Sequence, residues 1–215
     1  MSKNLWKKFP VLLLSLAFLV PPVHGFKDED LAKLHRTNEC IRCDLSGADL
    51  RSANLSRANL RSSNLSGANL RGATLDEVNL SSADLSEAEL VGANLRRANL
   101  HKAKLTTADL SAADLTASDF REVDLNGANL RGSDSRATDF WKANLKEAIL
   151  RNADMREANL WGVDLTLADM RGANLSYTDL GSANLMGADT RAARFESATF
   201  CNTKMPSKEM NQSGC

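Results

Sequence analysis

The chain has 215 residues, 27 basic against 27 acidic side chains, and only 5% aromatic residues. A neutral balance excludes a protein that works by neutralising phosphates along a nucleic acid, because counterion release needs a basic face. Scarce aromatics argue against a core of large, varied side chains, so regularity must come from elsewhere.

Residues 1–25 open with Lys3, Lys7 and Lys8, run apolar from Pro10 to Val20, and leave through Val23-His24-Gly25. This order predicts a cleaved secretory signal peptide. The apolar run is well short of the ~20 residues that span a bilayer, so no stable membrane insertion is expected after cleavage. Cleavage removes three lysines and no acid, leaving 24 basic against 27 acidic residues, a net charge of −3. Residues 26–40 follow as an N-terminal segment. Within it KDEDLAKLHRTN, residues 27–38, begins with acids and sets Leu31 and Leu34 three apart, as a short helix would.

From residue 41 to 200 every fifth position is apolar. Positions ending in 0 or 5 are Leu in 24 of 32 pentads, with Phe120, Phe140, Phe195, Phe200, Met155 and Met170 as substitutes; only Ser135 and Thr190 break the series. The residue two before is Ala in 23 of 32, and the one between is Asn or Asp in 26 of 32. A period of five turns an α-helix by about 140° per step and scatters the leucines over every face. On a plain strand it would throw them to alternate faces. The chain must therefore turn in every pentad. Nine of the 12 glycines stand second in a pentad, where a corner needs positive φ, and Asn or Asp side chains can hold such corners through local backbone amides.

The string SGADLRSANLSRANL at residues 46–60 resembles the pentapeptide-repeat family, and the likeness runs over residues 41–200. The resemblance implies an all-β fold, a right-handed quadrilateral β-helix with four pentads per coil, hence about eight coils here. Residues recurring at a spacing of twenty agree: Trp141 with Trp161, Phe120 with Phe140, and Arg131 with Arg151, Arg171 and Arg191. At about 4.8 Å per coil the rod would be roughly 38 Å long. Its open strand edges need covering, by the helix of residues 26–40 at one end and by residues 201–215, with Met205 and Met210, at the other.

The four cysteines stand at these ends, Cys40 and Cys43 before the first coil and Cys201 and Cys215 after the last. Bonded Cα atoms lie within about 7 Å, so a single rod of that length leaves Cys40–Cys43 and Cys201–Cys215. Export favours such clips. Two rival readings of Cys40-x-x-Cys43 stay open: half a zinc site, which His35 and His101 do not complete, and a thiol-disulfide motif without its usual βαβ context. CIRCDLSGADL and FCNTKMPSKEMNQSGC also resemble the terminal segments of exported members of the family.

No nucleophile, acid, base, metal or cofactor set gathers into a pocket pattern, so no enzyme is expected. Asp114, Asp134 and Asp154 stack in one column with Arg131 and Arg151 in the same pentads, which predicts local charge compensation. The column of Arg131, Arg151, Arg171 and Arg191 is a solvated ladder or a surface for an acidic partner. Trp141 and Trp161 are the only tryptophans after residue 25, both outward, with Ile149, Leu167 and Met186 outward on the same or next face. They either stack to cover the backbone or form an interaction surface. The resemblance implies a non-enzymatic exported structural or interaction protein like those of the periplasm and thylakoid lumen, monomeric or an end-to-end dimer, with an unidentified protein partner. A second branch of the family mimics DNA, binds topoisomerase and confers quinolone resistance; the leader, the charge and the arginine column speak against it.

Overall fold

The computed structural model describes residues 27–215. The expected leader, residues 1–25, lies outside them. Helix α1 spans Asp28–Thr37, with Asp28, Glu29 and Asp30 in a first turn where the helix dipole favours acids. Asn38 ends it in the left-handed region at φ 58°, donating its amide to the Leu34 carbonyl. Leu34 is buried against the first coil and Leu31 packs beside it. The Lys27 amide donates to the Asp44 carbonyl, and the Asp44 amide donates to Asp30 Oδ2 at 2.9 Å.

Beyond α1 the backbone winds as a square coil. Single-residue parallel bridges join each fourth residue of a pentad to the one twenty positions later, from Glu39–Asn59 through to Asn184–Lys204. The unvarying separation of twenty means four pentads per coil. No long strand forms because each face is only three residues wide between turns. The turn itself is of type II: in every pentad from residue 42 to 202 the second residue has positive φ. Glycine is favoured there but not required, since Arg57 at 58°, Leu167 at 60° and Tyr177 at 63° adopt the same conformation.

One pentad accounts for all five of its amides. Gly67 donates to Ser86 O at 2.8 Å and Leu70 to Glu89 O at 2.8 Å in the following coil, while Asn69 donates to Ala48 O at 2.9 Å in the preceding one. Ala68 closes the turn on Leu65 O at 3.0 Å. The fifth amide, Ser66, has no backbone partner and donates to Asn64 Oδ1 at 3.1 Å. Asn and Asp recur for this reason. All 26 of them in the pentads accept the amide two residues on, whereas the amides after Thr74, Glu89, Lys104, Ile149, Arg194 and Thr199 have no such acceptor.

The interior holds the Leu and Ala columns, almost all fully buried. Ser135 is buried too, its hydroxyl 3.0 Å from that of Ser133. Phe140 shares its coil and meets Phe120 of the coil before, ring centroids 5.3 Å apart, so large rings offset the small serine. The last coil is looser: Thr190, Phe195 and Met205 are half-buried. Strands β1, Thr203–Lys204, and β2, Met210–Asn211, pair as a hairpin across it. Met205 packs against the core, but Met210 is 49% exposed and plugs nothing, because its strand pairs outside the coil.

Candidate functional site

The two tryptophans sit on one corner of the rod, one coil apart. Each is first in its pentad, and its amide is held by the preceding side chain: Trp141 by Asp139 Oδ1 and Trp161 by Asn159 Oδ1, both at 3.1 Å. Asn159 Nδ2 also donates to Asp139 Oδ1 at 2.9 Å, tying the rungs together. The indoles stack with centroids 6.2 Å apart and planes 13° apart. Lys142 Nζ lies 4.3 Å from the Trp141 centroid and 5.8 Å from that of Trp161. Gly181 occupies the next rung; a Cβ there would lie 2.8 Å from Trp161 Cδ1, so Trp161 leans over it.

A shallow depression crosses the adjoining face. Trp141 and Trp161 form one rim, Glu157 and Tyr177 the other, and Ala158, Asn159 and Asp179 the floor. Tyr177 is 63% exposed and Trp161 38%. Sequence reading overlooked Tyr177 and Glu157. They stand second in their pentads, on the neighbouring corner, and only the square coil brings them opposite residues 141 and 161. Ile149 and Leu167 are exposed as well, but on other parts of the circumference, and neither lines the depression.

The arginine column occupies the diagonally opposite corner and lines a second shallow surface with Asn152 and Gly172. Asp169 receives Arg151 at 2.5 Å and Arg171 at 2.7 Å; Asp189 receives Arg191 at 2.6 Å. Arg131 makes no ion pair among the described residues, since Asn129 and Ile149 stand where neighbouring rungs carry acids. The aspartate column is compensated, but by different arginines from those expected. Asp134 pairs with Arg136 at 2.7 Å and Asp154 with Arg156 at 2.6 Å, because the Asx-capped amide places the next pentad's first side chain beside the carboxylate, while Asp114 is met at 3.1 Å by Arg96 of the preceding coil. Hydrogen bonds from Arg136 and Arg156 hold the Asp134 and Asp154 carboxyls below the ordinary range, against the opposing effect of burial.

At the ends Cys40 is bonded to Cys43, Cα atoms 5.3 Å apart, and Cys201 to Cys215, 4.7 Å apart. Asp30 lies close enough to Cys40 and Cys43 to suggest a metal set, yet both sulfurs are spent in the bridge and Asp30 accepts the Asp44 amide.

Residues 39–76, 75–111, 100–134, 136–172 and 168–205 match the family of pentapeptide repeats, with eight copies. The chain belongs to the pentapeptide repeat family. Among solved structures it is similar to HetL, a pentapeptide repeat protein involved in heterocyst differentiation regulation from the cyanobacterium Nostoc sp. strain PCC 7120. The two are 33% identical, with 80% of this chain and 87% of HetL covered and a TM-score of 0.41. QnrB1, a plasmid-mediated fluoroquinolone resistance protein in a trypsin-treated form, is 18% identical over 74% of this chain and 79% of its own, TM-score 0.60, which shows the shared fold alone. A pentapeptide repeat protein of the Arabidopsis thaliana thylakoid lumen is 27% identical over 47% of this chain and 60% of its own, TM-score 0.29. No curated protein matches this pentapeptide repeat protein.

Proposed function

We propose that this protein is a non-enzymatic, exported interaction protein, a right-handed quadrilateral β-helix capped by α1 that presents a rigid face to a protein partner in the periplasm or thylakoid lumen. The observation that carries the reading is the stack of half-buried Trp141 on exposed Trp161, facing exposed Tyr177 on a surface whose amides are already satisfied. Such a face loses little conformational freedom on binding, and Trp and Tyr are the residues that concentrate binding energy. The buried Cys40–Cys43 bridge, 0% and 4% exposed, supports a structural clip over a thiol exchanger, which needs an accessible sulfur. The fold shared with QnrB1 brings the topoisomerase-binding reading with it, but a net charge of −3 after the leader gives a weak mimic of DNA.

The test replaces Trp141 and Trp161 with Ser in a protein that still folds and compares the adducts formed by crosslinking in the native compartment. Loss of a defined adduct supports the reading; an unchanged adduct pattern overturns it. Gyrase inhibition by the purified protein would move the assignment to the DNA-mimicking branch.

A further inference from the structure

The depression on the Trp face has a chemical polarity that a general docking surface would not need. Glu157 makes no ion pair among the described residues, although it stands on the rim beside Tyr177. Asp179, on the floor, accepts the Gly181 amide at 2.8 Å and the Thr199 hydroxyl at 3.2 Å but makes no ion pair among the described residues. Elsewhere over residues 41–200 half of the acids, 10 of 20, have an arginine within ion-pairing reach among the described residues, as at Asp49, Asp119, Asp134, Asp154, Asp169 and Asp189. Here two carboxylates without cations are framed by three of the protein's largest aromatic side chains. Lys142, its Nζ 4.3 Å from the Trp141 centroid and 5.8 Å from that of Trp161, shows that these rings already attract positive charge.

We propose that the trough takes an arginine side chain of the partner protein. A guanidinium is planar, so it can stack flat on Trp161 or Tyr177 while its N–H groups reach Glu157 and Asp179; a lysine ammonium can sit over a ring or meet a carboxylate, but it has no flat face to stack and no fork to do both at once. Gly181 matters because it puts no side chain on the rung next to Trp161, and Asp179 Oδ1 would lie 3.0 Å from a Cβ placed there. The inference rests on the docking role assigned above to the Trp face and names the chemistry that face selects.

The leader-free, disulfide-bonded protein reports on this directly, since Trp141 and Trp161 are its only tryptophans. Blocked tetra-arginine, blocked tetra-lysine and maltotetraose are titrated while indole fluorescence is followed. The expected result is a saturable change with tetra-arginine, tighter than with tetra-lysine and absent with the sugar. A double variant, Glu157→Gln with Asp179→Asn, should weaken it by about tenfold or more, the equivalent of one charge-assisted contact. Asn at 179 keeps the acceptor for the Gly181 amide, so this variant retains the corner. No saturable change with tetra-arginine, an unaltered affinity in the double variant, or equal or stronger binding of tetra-lysine or the sugar would each overturn the proposal. If tetra-arginine fails while the Trp→Ser variant still loses its crosslinked partner, only the arginine assignment falls.

Discussion

Asn79→Ala isolates the role of the recurrent Asn and Asp residues. Asn79 Oδ1 accepts the Ser81 amide at 3.1 Å and the Ser81 hydroxyl at 2.8 Å, and truncation leaves that amide without a protein acceptor. Losing the equivalent side chain at a helix N-cap costs about 0.5–2 kcal/mol, and a single net hydrogen bond about 1 kcal/mol. The half-buried site lets water recover part of this, so the expected loss is about 1–2 kcal/mol, or roughly 2–8 °C in melting temperature for a chain of this size. Thr74→Ala is the control, because Thr74 caps nothing and the Asp76 amide has no such acceptor; its effect should stay within about 0.5 kcal/mol. Thr74→Asn should stabilise by supplying the missing cap. Thermal and urea denaturation of the three variants decides the matter. Equal losses for Asn79→Ala and Thr74→Ala would refute the reasoning and reopen a chemical role for the Asx columns.

Three further outcomes follow from the same geometry. Ser135→Leu, which restores the repeat pattern, should destabilise by roughly 1–3 kcal/mol in urea unfolding, because Phe140 already fills that coil and Ser133 loses its hydroxyl partner. The Asp134 and Asp154 carboxyls are held low chiefly by hydrogen bonds from Arg136 and Arg156, so their stabilisation is complete above the usual carboxylate range near pH 4 and lost as pH falls through their lower folded values. An Arg136→Gln, Arg156→Gln variant should therefore show a flatter decline of melting temperature below about pH 4. Under graded dithiothreitol with alkylation and mass spectrometry, Cys201–Cys215 should open before Cys40–Cys43, since Cys215 is exposed while Cys40 and Cys43 are buried.

Much of the rod was legible from the pentads. Leu and Ala repeating with the phase never slipping can bury one face only if the backbone turns every five residues, and the spacing of Trp141 to Trp161 and Phe120 to Phe140 reports the coil length. Corner chemistry was half legible: glycine marked the positive-φ sites, but Tyr177 and Leu167 occupy the same conformation without any sequence signal. The site was less readable, because neighbours on adjacent corners are separated by sixteen residues, as Trp161 and Tyr177 are, and not by the repeat of twenty. Six of the arginine ion pairs follow a local rule visible only in the structure, and the others join neighbouring coils. An arginine two residues after an aspartate meets it through the capped turn, as Arg136 meets Asp134, whereas Arg131 in the same pentad as Asp134 points to a different corner.

The most direct test of a rod that works through one outer face is position-resolved photocrosslinking in the native compartment. A photoreactive residue is placed at Tyr177, beside the Trp stack, and in a second protein at Ser111, on the corner diagonally opposite that stack. The account predicts one defined protein adduct from position 177, lost when Trp141 and Trp161 are changed to Ser, and none from position 111. Equal labelling from both positions, or an adduct from 111 alone, would contradict it.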